Sequence, residues 1–595
     1  MKINANIFKT IVATGRVLEI KKRMVECKPS ICIERAKIVT KAYDMYKAYP
    51  NIKKRAYSLS EILKEMSIYI EEDQLIVGNQ ASCLRAAPIF PEYSWNWVVD
   101  EVDTLNVREY DPFEINNKDI KELRNILEKW ENRTLKDRAE LMQPEEVKLA
   151  TQIGVIEWEG NVTAGEGHIA IDYPTCLKLG YKGIIQICEK RLFTMDFSNP
   201  EHIRQKDFLE AVIIVFKAGI SFAKRYSKLA TSVANQVKDV KRKNELIEIS
   251  KMMKRIPDNP PSNFYEALQM LWFTHLIVQI EASGHSMSLG RIDQYLYEYF
   301  LKDIENGILT YESAVELIDC FYLKLFSINK LRSSSHSRVL AGYPTYQNIT
   351  LGGKKTNGDS VNELSFCFLK SIEHIRLSEP NLYIRYHDGI NEDFMKQALE
   401  VVSIGTGIPA FVNDNVCIPS LILRGISEQD AIEYCTMGCL EIEVPGKWGY
   451  RANGKSKFNI AKVLEMAIYG GEDLRTGQCL KSVKSLKDCS NFEEFFESYE
   501  ELLNYYMKIQ VTADNINDYC MEDMVPDAFC SALVQDCLER GKHIKQGGPI
   551  YDFISGAQIG VPDVGNSLAA IKECIYDNKV IDINSLLKAL KNDFK

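Results

Sequence analysis

A thiol and a carboxylate stand two residues apart, Cys439 and Glu441, in the stretch Tyr434-Cys435-Thr436-Met437-Gly438-Cys439-Leu440-Glu441-Ile442-Glu443-Val444-Pro445-Gly446-Lys447. At that spacing beyond a glycine both groups can serve one substrate: the sulfur takes or returns a hydrogen, and the carboxylate moves a proton. The pair suits radical elimination. Bare, Cys-x-Glu carries little information, because the chain has 16 cysteines and cysteine is among the most buried residue types. Cys435, four residues ahead of Cys439, is read as such a packed cysteine. Histidine is scarcer, eight in all, and two of the eight lie beside glycine-containing turns: His168 in Gly165-Glu166-Gly167-His168 and His285 in Glu281-Ala282-Ser283-Gly284-His285-Ser286. A buried imidazole must find partners whether it packs in a core or lines a pocket.

The elements that must position these groups are of mixed type. Residues 14 to 48 and 57 to 70 carry helix-period apolar positions mixed with Lys and Glu, as surface helices do. Val77 leads into Gly78-Asn79-Gln80, a short strand and turn. The charge-rich stretch from Arg108 to Asp137 and the long pattern from Ser198 to Glu248 read as helices with solvated faces. Pro257 to Pro261 is a break. Ala267 to Ile280, the longest near-apolar stretch, contains Gln269, His275 and Gln279 and is too short to span a bilayer, so it reads as a buried core helix. Short branched or aromatic runs such as Leu382-Tyr383-Ile384-Arg385-Tyr386 then alternate with amphipathic helices. This is α/β organisation, without an internal repeat, a low-complexity tract or a long linker.

Composition fits a large globular enzyme. A formal net charge of −9 with no basic run gives no reason to expect nucleic acid as a partner, and no membrane span is expected. No basic segment followed by an apolar one opens the chain, so no export signal is inferred. The cysteines fall singly, with no Cys-x-x-Cys, which argues against an in-chain iron-sulfur cluster or metal site and fits a reduced, cytoplasmic setting.

Taken together, several segments resemble signatures of the glycyl radical enzymes, the pyruvate formate-lyase-like group that includes glycerol and propanediol dehydratases, choline lyase and arylacetate decarboxylases. They are Met437 to Glu441, Pro91-Glu92-Tyr93-Ser94-Trp95, Ser288 to Tyr295, Gln347 to Gly353, and Asn413-Asp414. The likeness runs from about residue 10 to the C-terminus. It implies an α/β fold, a ten-stranded α/β barrel of two antiparallel five-stranded parallel halves surrounded by helices, as a single domain over residues 1–595 with a helical N-terminal portion, the cysteine loop threaded inside. It also implies that Cys439 carries a transient thiyl radical and that Glu441 is the acid-base group, with Leu440 in place of the usual valine. The family's radical-bearing glycine loop is expected beyond Lys595 and hence absent from this polypeptide. Arg338-Val339-Leu340-Ala341-Gly342-Tyr343 resembles that loop by eye, but it has one extra residue and precedes the Gln347 strand, so it is read as scaffold with a pocket-facing tyrosine.

By the same resemblance, His168 and His285 are catalytic residues that hold the substrate hydroxyls together with Ser286, a histidine protonating the leaving hydroxyl, and Ser286 and Tyr343 are substrate-binding pocket residues. Diol dehydratases carry a carboxylate shortly after Gly-Lys; here Arg451 and Asn453 stand in that region, and both are candidate substrate-binding residues. Asn453 can hydrogen-bond but cannot hold a proton, and Arg451 meets either an anionic substrate or a neighbouring carboxylate. The expected function is carbon-oxygen lyase chemistry, radical dehydration of glycerol or 1,2-propanediol. Arylacetate decarboxylation, formate acetyltransferase-like chemistry and a catalytically inactive protein stay open beside it. An active chain would need a glycine-radical segment from a separate polypeptide and an S-adenosylmethionine-dependent, iron-sulfur activating enzyme, with no cofactor bound directly. Family members are commonly homodimers.

Overall fold

The computed structural model describes residues 3–165, 167–340, 342, 345–439, 441–449, 456–553 and 556–594. The chain forms two compact units: Met1–Thr134, Ala164–Ala452 and Glu522–Phe553 make the first, and Leu135–Thr163, Asn453–Met521 and Ile554–Lys595 the second.

The first unit is organised around the helix Phe264–Glu281. Asn263 starts it by accepting a hydrogen bond from the Glu266 amide at 2.9 Å, which satisfies one of the orphan donors of a first turn. Every residue from Ala267 to Glu281 is buried, as the apolar run predicts: a helix hydrophobic all round must be covered on all sides. Trp272 meets Phe321 edge to face at 6.4 Å, and Leu268, Leu271, Leu276 and Ile277 belong to the same core. Truncating one of these aliphatic side chains to alanine costs roughly 2–5 kcal/mol. Around this helix stand Gly15–Glu26, Glu34–Met45, Asn51–Glu65, Tyr173–Phe193, Pro200–Ala234 and Tyr311–Ser327. The expected helical N-terminal part, the long helical region after Ser198 and the break at Pro257–Pro261 are all present. Between Arg108 and Asp137 the helix is shorter than the charge pattern implies, Asn117–Leu127.

The closed ten-stranded barrel is not what the described residues form. Their strands are two to five residues long and make six separate sheets, none with more than three strands. The largest is parallel: Ile349–Gly352, Leu382–Tyr386 and Ala410–Asn413, with Leu382–Tyr386 in the middle. Beside it lie the parallel pair Ile169–Ala170 with Met287–Ser288 and the antiparallel hairpin Cys435–Met437 with Glu441–Glu443. The physical reason is backbone conformation. His168 and Ser286 have φ of 52° and 68°, and Gly290 and Gly352 of 67° and 65°; a residue in the left-handed region leaves the extended path and ends the ladder. Neighbouring segments are therefore joined by single bonds, Leu289 N to Asn348 O at 2.8 Å and Thr350 N to Gly290 O at 3.0 Å. The cysteine segment is accordingly a hairpin laid against the Ile349–Gly352 strand, where the Thr350 and Thr436 hydroxyls meet at 2.9 Å.

In the second unit a hollow of about 620 Å³ lies among Ile460–Ile468, Val561–Ile571 and Ile583–Lys591. Its lining is mainly aliphatic and includes no imidazole. Among the described residues no helix is long and apolar enough to cross a membrane.

Candidate active site

The hairpin pairs Cys435 with Glu443, Thr436 with Ile442 and Met437 with Glu441, so Gly438 and Cys439 lie in the turn. Gly438 has φ of 58°, and a Cβ there would stand 2.5 Å from Glu441 Oε2 and 3.0 Å from His168 Cδ2. Only glycine lets the carboxylate and the imidazole close over the backbone at this point. The turn is held from two sides. Asn348 Nδ2 donates to the Gly438 carbonyl at 2.8 Å, and the Tyr383 hydroxyl donates to the Cys439 carbonyl. With its backbone fixed in this way, Cys439 keeps its side chain exposed. Partial burial raises the thiol above its usual range, the Glu441 charge adds to that, and a hydrogen bond with the Tyr346 hydroxyl opposes both.

The root of the hairpin is braced by charge. Arg385, fully buried, donates to both Asp414 oxygens at 2.8 and 3.0 Å and to the Tyr434 carbonyl at 3.0 Å, while the Tyr434 hydroxyl donates to Asp414 at 2.6 Å. Arg291 donates to the Gly352 carbonyl at 3.0 Å, and Asp293 accepts from the Gly352 amide at 2.9 Å. Several residues of the signature-like segments thus do structural work, fixing strands that carry the site.

The two histidines come from the parallel pair. His168 N donates to His285 O at 3.0 Å, and Ile169 N to Ser286 O at 3.3 Å, which sets the ring centroids 5.5 Å apart. A Cβ on Gly167 would lie 1.8 Å from the His285 carbonyl oxygen, so glycine is required before His168. Burial pushes His285 well below its usual value, and the charges of Arg332, His168, His336 and Lys330 act in the same direction. Burial also lowers His168, with the Glu441 charge opposing it. Both shifts favour the neutral ring, which has one donor and one acceptor nitrogen. The turn before His285 is anchored by Arg332, which donates to the Ser283 carbonyl at 2.6 Å, and by Lys330, which caps the core helix on Gln279 O at 2.9 Å and Ala282 O at 3.0 Å. Ser286 N donates to Thr345 O at 2.7 Å, and its buried hydroxyl has no hydrogen-bond partner among the described residues.

The structure therefore gathers Cys439, Glu441 and His168 at one turn, with His285 beside His168 and Ser286 adjoining. Tyr343, Arg451 and Asn453 lie outside the described residues. Sequence reasoning did not single out Tyr346, Tyr383, Asn348, Glu379 or Glu443. Asn348 and Tyr383 fall in segments it had marked as signature and strand; nothing local marks Tyr346 or Glu379. Glu443, fully buried, accepts from the Ala170 amide through one oxygen, and among the described residues the other has no partner. Burial, and then the Glu441 charge, push it well above the usual carboxylate range. Cys435, its neighbour across the hairpin, is buried and pushed up likewise, so its thiol is inert. Among the described residues no group of three or more His, Cys, Asp and Glu is poised to hold a metal ion.

A family model described as pyruvate formate lyase-like matches residues 10–595, and the chain belongs to this family of glycyl radical enzymes. It is 39% identical over 575 residues to a probable dehydratase, YbiW, of Escherichia coli, covering 95% of this chain and 71% of that protein. It superposes on the glycerol-bound B12-independent glycerol dehydratase of Clostridium butyricum with a TM-score of 0.94 at 34% identity, covering 98% of this chain and 74% of the other. A structure described for 1,2-propanediol dehydration in Roseburia inulinivorans gives a TM-score of 0.95 at 33% identity, covering 98% and 73%. The chain is thus similar to carbon-oxygen lyases that act on small polar substrates.

Proposed function

We propose that this chain is the substrate-binding and hydrogen-transfer body of a lyase that dehydrates a small diol such as glycerol or 1,2-propanediol. The observation that carries this reading is the His168 imidazole packed against Gly438 in the turn that presents Cys439 and Glu441, with the His285 ring 5.5 Å from His168 and the buried Ser286 hydroxyl next to it in the chain. Vicinal hydroxyls need donors and acceptors in equal measure, and His168, His285 and Ser286 supply both. A glycine-radical segment outside these residues, activated by an S-adenosylmethionine-dependent iron-sulfur enzyme, supplies the unpaired electron. Cys439 then takes a hydrogen atom from the carbon bearing the retained hydroxyl and returns it to the product carbon.

Proton balance falls to Glu441. Its carboxylate accepts the proton of the retained hydroxyl as that carbon becomes a carbonyl, and the same proton leaves with the departing hydroxyl as water. His285, held neutral, suits hydrogen bonding to the leaving oxygen better than outright protonation. Positioning matters as much as reactivity, because the sulfur must lie almost in contact with one chosen C–H bond.

The test is anaerobic activation with a glycine-loop segment of a full-length relative, followed by glycerol, 1,2-propanediol and an arylacetate. Aldehyde from the diols, lost at least 1000-fold in Cys439→Ala, is the expected result. Decarboxylation of the arylacetate with no aldehyde would overturn the reading.

A further inference from the structure

We propose that buried Glu379 is a positioning residue of this site: it holds a strap, residues 345–348, and the strap sets Ser286 and the Cys439 turn in place relative to each other. The proposal rests on the reading of those two elements as the diol site. Each end of the strap reaches one of them. The Thr345 carbonyl accepts the Ser286 amide at 2.7 Å, and Asn348 Nδ2 donates to the Gly438 carbonyl at 2.8 Å. The Asn348 carbonyl also accepts the Leu289 amide at 2.8 Å, so the chain leaving Ser286 is fixed as well. Between these ends Gln347 Oε1 meets His275 Nε2 at 2.9 Å, which ties the strap to the core helix.

Glu379 holds the middle. One of its oxygens accepts the Tyr346 amide at 2.7 Å and the other accepts the Gln347 amide at 3.0 Å. Residues 345–348 precede the strand Ile349–Gly352 and belong to no ladder, so their buried amides must find partners elsewhere. The carboxylate, 3% exposed, supplies two of them. Tyr346 stands at φ 50°, a conformation that a non-glycine residue keeps only where the surroundings impose it. Two consecutive amides on one carboxylate impose it.

The grip depends on charge. Ionised, Glu379 offers each amide a full acceptor; protonated, one oxygen becomes a donor and competes with the amide it faces. Burial pushes Glu379 up to about 7, with the Gln347 and Tyr346 amides opposing it. The strap is therefore held tightly above that pH and loosely below it. The titratable groups that face Glu379 are Tyr346, which burial pushes up to about 12, and, through Gln347, His275, which burial lowers to about 4. Neither changes charge between pH 6 and 8.

The experiment is amide hydrogen exchange in the unactivated full chain, read by peptide mass spectrometry at pH 6 and pH 8 and corrected for the intrinsic effect of pH. Parent and Glu379→Gln are compared; glutamine keeps one acceptor but turns an NH2 toward the second amide. At pH 8 the peptides that hold Ser286 and residues 437–441 should exchange roughly 3–10-fold faster in the variant. Peptides from the helix Pro200–Ala234 should be unchanged, and at pH 6 the two chains should converge. Glu281 and Lys330, which burial also displaces from their ordinary values, are common to both chains, so the difference between them reads Glu379. Should Glu379→Gln fail to fold, Glu379→Asp, which draws the carboxylate back, should show the same loss of protection at pH 8. Faster exchange confined to Tyr346 and Gln347, or spread evenly into the control helix, or equally large at pH 6, overturns the proposal. Titrating the same two chains with 1,2-propanediol at pH 8 separates it from the diol reading. Weaker binding by the variant supports the proposal and equal binding overturns it; no binding by either chain overturns the diol reading, and the exchange result still decides the role of Glu379.

Discussion

The short turn Ala282–Ser286 separates two buried polar regions that treat charge in opposite ways. At its start, where the core helix ends, charges are matched. Arg35 pairs with Glu92 at 2.6 Å, and Asp527 pairs with Arg55 and with Lys545, both at 2.8 Å. Glu281 is the exception there: it rests on the amides of Phe529 and Cys530, each at 2.8 Å, but burial and the Asp527 charge push it up to about 8. Burial pushes Glu92 up, but Arg35 and Arg55 outweigh it and hold its carboxyl low. At the other end of the turn His285, His168 and Glu443 are pushed away from their charged forms, and Ser286 keeps an unused hydroxyl. In the first region the cations are spent on carboxylates, with Glu281 the carboxylate left over; in the second, among the described residues, no cation is paired with the imidazoles or with Glu443, an arrangement that perturbed functional sites share.

Breaking the matched region should cost stability and little else. Asp527→Ala leaves Arg55 and Lys545 buried without their shared counter-charge, a loss of roughly 3–5 kcal/mol that urea denaturation reads directly. A loss below about 1 kcal/mol would show that the lattice is not as compensated as its geometry implies. A comparable loss for Cys439→Ala would blur the comparison from the other side, because an exposed side chain in the turn should leave the urea midpoint unmoved.

The unmatched region should respond with the opposite sign. Glu443 has a folded-state value raised above its ordinary 4.5, so the folded chain keeps a proton that the unfolded chain releases. That contribution is fully present below about pH 4.5 and drains away as pH rises toward the folded value. Glu443→Gln cannot ionise and keeps an acceptor for the Ala170 amide. It should therefore melt with the parent at pH 4 and above it at pH 8, by roughly 1–2 °C. A variant less stable at pH 8 would mean that the carboxylate is ionised and paired.

How far the sequence disclosed this depended on the range of the interaction. The core helix was legible because an apolar run needs no partner to be recognised, and Leu382–Tyr386 because a branched and aromatic alternation is local. His168 and His285 were singled out by the glycines beside them, and the structure sets their rings 5.5 Å apart. The barrel expectation came with the family likeness and failed on backbone detail: His168 and Ser286 break their ladders at positive φ, and neither is a glycine that would announce it. Tyr346 was hidden for the same reason, with its turn imposed by Glu379, 33 residues away. The clamp of Asn348 on Gly438 spans 90 residues. Contacts of that separation leave no periodicity in the chain.

The measurement that tests the central claim most directly is diol binding to the unactivated chain, because it needs no radical source. Calorimetric titration with 1,2-propanediol should give saturable binding in the roughly millimolar range. His168→Ala and His285→Ala should each weaken it about 3–10-fold, while Cys439→Ala leaves it unchanged. Equal binding by the His168→Ala/His285→Ala double variant, or an arylacetate bound more tightly than either diol, would contradict the account.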